Sequence, residues 1–120
     1  NEEIRMLHMG SCHCDKIAFE VEGEFSEGMA CNCSMCRRRG SLLAFVPAED
    51  FHLKTAREEL ATYTFNKHVL SHHFCNTCGI APFSEGKKPD GSAMVAINLR
   101  CVTTLDPEAL KVTHWDGASH

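Results

Sequence analysis

The stretch Cys75-Asn76-Thr77-Cys78-Gly79 decides how this chain folds, because it places two thiols one tight turn apart. Such a turn lets both sulfurs converge on a single metal ion. Gly79 supports the turn, since glycine readily adopts the positive φ or close backbone approach that it requires. A closed structural zinc site takes about four soft ligands, so further thiols must come from elsewhere in the chain.

Six cysteines lie outside this turn, and five of them fall into two groups. The groups are Cys12-His13-Cys14 and Cys31-Asn32-Cys33-Ser34-Met35-Cys36. Side chains at i and i+2 share a face of an extended segment, so Cys12 and Cys14 can present both sulfurs to one side. With the two thiols of the first turn they would complete a four-thiolate site, which would close a long loop of chain as structural zinc does.

The cysteine trio, Cys31, Cys33 and Cys36, supplies three thiolates within six residues. Three protein ligands leave one tetrahedral position for water or substrate, which is the arrangement of a catalytic zinc. The eighth cysteine, Cys101, would close this site if it supplied a fourth ligand. A lone cysteine is more often a small buried hydrophobe, and we predict that role for Cys101.

Spacing alone leaves the pairing of the groups open. Cys12 and Cys14 could instead join the first two thiols of the trio, which would leave Cys36 with the Cys-x-x-Cys turn. Disulfides would require an oxidising compartment, and a thioredoxin-type redox pair would require a βαβ context that the sequence lacks. We therefore expect two zinc ions per chain, one structural and one with a position open for catalysis.

Composition and charge narrow the class of protein. With 120 residues, 43% of them hydrophobic and 23% charged, we expect one globular domain over residues 1–120. The net charge is −4, which argues against a general nucleic-acid binder because such a protein needs a basic face. No apolar run approaches the ~20 residues of a membrane span. The first residues lack the pattern of a signal peptide, so we expect a cytoplasmic protein.

The hydropathy pattern predicts a mainly β fold. Alternating or β-branched segments indicate strands at residues 16–22, 42–46, 60–65, 69–74 and 93–99. Short helical turns are predicted at residues 56–60 and 106–110, the second with Asp106 as its cap and Pro107 at its first position.

The cysteine motifs, taken together and in order, resemble the family of glutathione-dependent formaldehyde-activating enzymes, which includes centromere protein V. The resemblance is carried by Gly10-Ser11-Cys12-His13-Cys14, by Cys31-x-Cys33-Ser34-Met35-Cys36-Arg37 and by Phe74-Cys75-x-x-Cys78-Gly79. It extends over residues 10–117, and residues 63–68 and 116–117 are similar to the centromere-protein side of the family.

This resemblance implies an Mss4-like fold of small antiparallel sheets stapled by zinc. It assigns Cys12, Cys14, Cys75 and Cys78 to the structural zinc, and the trio Cys31, Cys33 and Cys36 to a second, catalytic zinc. It implies carbon–sulfur lyase chemistry like that of S-hydroxymethylglutathione synthase, in which a glutathione-like thiol is joined to formaldehyde or another small aldehyde. The alternative is a non-enzymatic, zinc-stabilised binding module resembling centromere protein V.

Two positions depart from the family pattern. Asp15 stands where the family usually has glycine after the first Cys-x-Cys, and aspartate can enter the left-handed region at modest cost. The loop after Cys36 lacks the Thr-Gly step common in the formaldehyde-activating members, so glutathione is not assumed to be the thiol. Arg37 is predicted to bind a carboxylate of a glutathione-like thiol, because guanidinium suits bidentate pairing. His72 and His73 are expected to face opposite sides of their strand.

Overall fold

The computed structural model describes residues 6–64, 70–88 and 90–116, and within them the chain is mainly β. Its ten strands are β1 (Met6–Ser11), β2 (Ala18–Gly23), β3 (Glu27–Cys31), β4 (Leu43–Pro47), β5 (Phe51–Leu53), β6 (Ala61–Tyr63), β7 (Ser71–Phe74), β8 (Phe83–Lys87), β9 (Ala93–Asn98) and β10 (Lys111–Trp115). One short α-helix, α1, spans Cys36–Arg39. The predicted fold class is confirmed. No helix in the described part of the chain is long and apolar enough to cross a membrane.

The strands form two sheets. The smaller is antiparallel in the order β1-β2-β5, and the larger has the order β10-β3-β4-β9-β8-β7-β6. Every pairing in the larger sheet is antiparallel except that of β10, which runs parallel to β3. The larger sheet reaches seven strands because β10 returns to the edge formed by β3 and extends the sheet by one strand.

The core is built from residues of both sheets. Phe19 of β2 contacts Phe51 of β5 with ring centroids 5.2 Å apart, and Phe51 contacts Phe83 of β8 at 4.6 Å. Val95 and Ile97 of β9 are buried in the same cluster. Each such side chain contributes about 1.5–3 kcal/mol by leaving water. The aromatic contacts therefore join the smaller sheet to one face of the larger sheet.

Gly10 lies where β1 closely approaches the Phe19 ring and the backbone of Cys101. A Cβ at this position would clash with the Phe19 ring and with the backbone carbonyl oxygen of Cys101. Gly10 also forms an isolated bridge with Val102. The glycine that precedes the first Cys-x-Cys is therefore required by packing, and it brings the end of β1 against the turn that carries Cys101.

The predicted helical turns are confirmed as 3-10 turns at Arg57–Glu59 and Pro107–Ala109. The Glu108 amide donates to Asp106 Oδ1 at 3.0 Å, which is the predicted cap. The strands predicted at 60–65 and 69–74 appear as the shorter β6 and β7, and residues 65–69 of those predictions lie outside the described residues. Strands β1, β3, β5, β8 and β10 and helix α1 were not predicted.

Candidate metal centres and the adjoining cavity

The four-cysteine cluster, Cys12, Cys14, Cys75 and Cys78, forms where the two sheets meet. Cys12 follows the last residue of β1 in the smaller sheet, and Cys75 follows the last residue of β7 in the larger sheet. The four sulfur atoms all lie within 4.8 Å of one another. The Sγ atoms of Cys14 and Cys75 are 3.5 Å apart, and those of Cys12 and Cys14 are 3.7 Å apart.

These separations fit a zinc ion. A tetrahedron with Zn–S bonds of ~2.3 Å has sulfur–sulfur edges of about 3.8 Å, whereas a disulfide brings its sulfurs to about 2.05 Å. All eight cysteines are free. The four sulfurs are therefore spaced as the ligands of one ion rather than as two bonded pairs.

Backbone amides donate to two sulfurs of this cluster, those of Cys75 and Cys12. The amides of Cys78 and Thr77 donate to Cys75 Sγ at 3.4 and 3.3 Å, and they lower the pKa of Cys75 to about 6. The Ile17 amide donates to Cys12 Sγ at 3.3 Å. Because zinc binds the thiolate rather than the thiol, these donors favour the form that binds metal.

Two residues with positive φ allow the ligand turns to close. Gly79 has φ 81°, as the Cys-x-x-Cys-Gly motif predicts, and Asp15 has φ 66°. Asp15 thus takes up the left-handed conformation that aspartate can adopt at modest cost, in the position where the family usually has glycine. Its carboxylate accepts a hydrogen bond from Ser11 Oγ at 2.7 Å, which helps to hold this conformation.

The cysteine trio forms a second cluster, separate from the four-cysteine cluster. Cys31 is the last residue of β3, and Cys36 is the first residue of α1. The three sulfur atoms of the trio all lie within 4.8 Å of one another. The Cys33 amide donates to Cys31 Sγ at 3.5 Å, and the Cys36 amide donates to Cys33 Sγ at 3.3 Å. Burial, with the neighbouring Cys33 and Cys31, raises the pKa of Cys36 to about 12. Three thiolates this close would repel one another unless a cation lay between them, so this donor set also fits zinc.

The structure decides between the two pairings that spacing left open. The group at the junction of the sheets contains Cys12, Cys14, Cys75 and Cys78, and the trio stands apart from it. The alternative, in which Cys36 joined the Cys-x-x-Cys turn, is not formed.

Cys101 is buried, as predicted, and it lies beside the four-cysteine cluster rather than the trio. Its side chain is 7% exposed at the end of a 3-10 turn. Burial, together with the charges of Cys12 and Cys78, raises the pKa of Cys101 to about 11. Among the described residues, the second group therefore has three thiol ligands and no fourth.

A cavity of about 220 Å³ adjoins the trio on the outer face of the larger sheet. Cys31, Cys33 and Cys36 form part of its wall. Side chains of β9 alternate across this sheet: Val95 and Ile97 are buried in the core, while Met94 and Ala96 line the cavity. The sequence of β9 is therefore apolar on both faces of the sheet. A strand that is apolar on both faces is the feature of the sequence that could have indicated this cavity.

The arginine that faces the cavity is Arg39, two residues beyond the one we predicted. Arg37 is exposed on α1 and is not among the cavity-lining residues, whereas Arg39 lines the cavity. Burial lowers the pKa of Arg39, and the charge of Cys36 opposes that effect. The role that we predicted for Arg37 stays a prediction.

The two histidines of β7 face opposite sides of the sheet. His72 lines the cavity, and its Nδ1 lies 2.9 Å from Ser84 Oγ. His73 packs on the Phe83 ring and contacts Glu85 Oε1 through Nε2 at 2.7 Å. Burial lowers the pKa of His72, and the charge of Arg39 lowers it further. These effects favour the neutral form of the imidazole in the wall of the cavity.

Comparison with known proteins agrees with this geometry. A solved structure is similar, the crystal structure of a Rhodobacter sphaeroides protein determined as a Northeast Structural Genomics target. It shares 29% sequence identity with this chain over 88% of this chain and 99% of its own length, with a TM-score of 0.74. The family described as glutathione-dependent formaldehyde-activating enzyme matches residues 7–115, which include all eight cysteines. Over that range, and with both cysteine clusters in place, the chain belongs to the family of glutathione-dependent formaldehyde-activating enzymes.

Proposed function

We propose that this protein is a zinc-dependent carbon–sulfur lyase that joins a thiol, of the glutathione type, to formaldehyde or another small aldehyde. The observation that carries the proposal is the three-thiol cluster opening onto a cavity, with the eighth cysteine placed elsewhere. A scaffold has no use for an open coordination position beside a cavity, so this arrangement favours the enzyme over the non-enzymatic binding module.

The reaction is an addition in which atoms and electrons balance. The sulfur of the substrate thiol attacks the aldehyde carbon and forms the carbon–sulfur bond, while the π pair of the carbonyl moves to oxygen. The proton that leaves the thiol ends on that oxygen, which gives the hydroxymethyl thioether of the product. A zinc ion held by Cys31, Cys33 and Cys36 would supply a Lewis acid that lowers the pKa of the thiol and polarises the aldehyde oxygen.

The chain's own residues set the environment of this reaction. The amides of Cys33 and Cys36 hold two sulfurs of the trio in place, those of Cys31 and Cys33. Three thiolates and a divalent cation leave a net charge near −1, which favours activation of a thiol over generation of hydroxide. The guanidinium of Arg39 offsets that charge and stands where it can meet a carboxylate of the thiol substrate. His72 holds its ring against Ser84 and presents a polar edge to an otherwise apolar wall.

The four-cysteine cluster has a different role in this proposal. With zinc bound, Cys12 and Cys14 of the smaller sheet would be tied to Cys75 and Cys78 of the larger sheet, so the ion would act as a staple of the fold. Its thiols need a reducing environment to stay free, and we propose the cytoplasm as the site of action.

The test is zinc content combined with catalysed adduct formation. We expect two zinc ions in the wild type and one in Cys33→Ser, with loss of thiol–formaldehyde adduct formation in that variant. Cys101→Ser is the matched control, because it removes a buried thiol outside both clusters, and it should keep both ions and the activity. Two zinc ions in the wild type with no catalysed adduct from any thiol would overturn the proposal.

A further inference from the structure

The outer face of the larger sheet is apolar where a solvent-facing sheet would be polar. Half-buried or exposed apolar side chains line the cavity there, from β3, β4, β9 and β10: Met29, Leu43, Phe45, Met94, Ala96 and Trp115. Phe45 and Trp115 each keep 48% of their surface exposed. An antiparallel sheet with one face on the core normally alternates to polar residues on the other. A contiguous apolar surface of this kind marks a binding site.

The cavity is concave because small residues occupy its centre. In the sheet register, Ala96 of β9 stands between Phe45 of β4 and Ser84 of β8, and Gly86 of β8 stands opposite Met94. Large side chains thus surround a row of small ones on the same face. They form a depression that can receive a small molecule, and the cysteines of the trio line the same cavity.

The volume exceeds what the smallest aldehyde needs. An apolar protein cavity of about 150 Å³ holds a benzene molecule. The present cavity is about 220 Å³, so it accommodates a benzene-sized group with space to spare. Formaldehyde has two heavy atoms and would leave most of this apolar surface uncovered.

The charges at the cavity do not suit the whole of glutathione, which carries two carboxylates and an ammonium group. Among the cavity-lining residues of the described chain, Glu85 already pairs with Arg57 through two oxygens at 3.0 and 2.7 Å and with His73. Arg39 is the remaining permanent charge outside the trio. One anionic group can be met there, but the sheet face offers the rest of such a molecule only apolar side chains and a few hydroxyl and amide groups.

The geometry points to a substrate with an uncharged apolar body, which the sheet face binds while its reacting group lies at the trio. This inference rests on the proposed thiol–aldehyde addition and names the class of one substrate. The body is an alkyl chain or an aromatic ring, carried either by the aldehyde or by the thiol. Burying each methylene is worth about 0.8 kcal/mol, which is about a fourfold gain in kcat/KM.

The experiment uses the zinc-loaded full chain and two series of substrates. In one, glutathione is combined with straight-chain aldehydes from formaldehyde to hexanal; in the other, formaldehyde is combined with alkanethiols from ethanethiol to hexanethiol. Catalysed adduct formation is measured by exchange NMR. We expect kcat/KM to rise about fourfold per methylene in one series, and that series identifies which substrate carries the apolar body. Flat profiles in both series, with glutathione and formaldehyde still joined, would overturn the inference and leave the proposed function standing.

If no pair of substrates gave a catalysed adduct, the proposed function would fail. The binding of an apolar probe would then test separately whether the sheet face is an apolar binding site. The probe is benzyl alcohol, which is uncharged and unreactive, with the methyl signals of Met29 and Met94 observed by NMR. Saturable shifts of these signals would support an apolar binding site, and unchanged signals would overturn it.

Substitutions in the cavity test whether the preference for longer substrates arises there. Ala96→Leu fills the central depression, and we expect it to lower the ratio of activity on the preferred long substrate to that on the shortest by at least about tenfold. Ala109→Leu is the matched control, since Ala109 is exposed in a 3-10 turn and does not line the cavity. Should Ala96→Leu fail to fold, Phe45→Ser changes a half-exposed wall residue and should lower the same ratio. Ratios unchanged in both variants would contradict the assignment of the sheet face.

Discussion

The two cysteine clusters should differ sharply in what they contribute to stability. Cys14 and Cys75, which belong to the cluster between the sheets, are 61 residues apart in the chain. The members of the trio are only two and three residues apart. A cross-link stabilises a fold chiefly by restricting the unfolded chain, and the restriction grows with the length of the loop it closes.

The loop-closure relation gives the magnitude. A loop of this length corresponds to about 4 kcal/mol, whereas closing a segment the size of the trio corresponds to about 2 kcal/mol. The metal–thiolate bonds of the first cluster add to this, because structural zinc binding is folding free energy. Cys75→Ser should therefore cost at least about 2 kcal/mol more than Cys33→Ser, which is about 10 °C in Tm for a domain of this size.

The assay is thermal unfolding of zinc-loaded protein, followed by far-UV circular dichroism and with zinc content measured on each sample. Cys101→Ser serves as the control for loss of a buried thiol. We expect Cys33→Ser to unfold cooperatively about 10 °C below the wild type with one ion lost, and Cys75→Ser to unfold at least about 10 °C lower still or to be unfolded throughout. Equal losses from the two serine variants, or a larger loss from Cys33→Ser, would refute the distinction between a staple and an open site.

Three further changes test the fold around the sites. Gly10→Ala should destabilise by about 1–3 kcal/mol, measured by urea unfolding, because its methyl group would overlap the Phe19 ring; an unchanged midpoint would contradict that packing. Phe83→Ala should cost about 3–5 kcal/mol in the same assay, since Phe83 is 2% exposed in the aromatic cluster, and a loss below 1 kcal/mol would place the core elsewhere. The hydrogen bonds from Arg57 hold the pKa of Glu85 below its ordinary value. The stability from this pair is therefore present above the ordinary carboxyl pKa of about 4.3 and is lost as pH falls through the lower folded value. Glu85→Gln should be less stable than the wild type at pH 7, by up to about 1 kcal/mol, with the difference shrinking at pH 3; a constant difference would show that the charge is not involved.

The ligand sets could be predicted from the sequence because their chemistry is local. Cys-x-x-Cys-Gly and Cys-x-Cys constrain the backbone within a few residues, and the positive φ of Gly79 and Asp15 follows from residue type and position. Strand β2 could also be predicted from the sequence. Its apolar and polar residues alternate there, and in the structure they alternate between buried and half-buried positions.

Other features depend on contacts that no local pattern encodes. Strand β10 is short and exposed, and it exists because it pairs in parallel with β3, far away in the chain. Helix α1 has only four residues, so its period cannot be seen in sequence. The choice of Arg39 over Arg37 depends on which way that single turn faces the cavity. The place of Cys101 beside Cys12 depends on the approach of β1 to the 3-10 turn at Leu99–Cys101.

X-ray absorption at the zinc edge, on the wild type and on Cys33→Ser, distinguishes a closed zinc site from an open one. We predict two zinc ions per wild-type chain, one with four sulfur ligands and one with three sulfurs and a lighter atom. Cys33→Ser should retain a single ion with four sulfurs, since the cluster between the sheets is complete without the trio. Four sulfurs around both ions of the wild type, or an intact pair of ions in Cys33→Ser, would contradict the division into a closed and an open site.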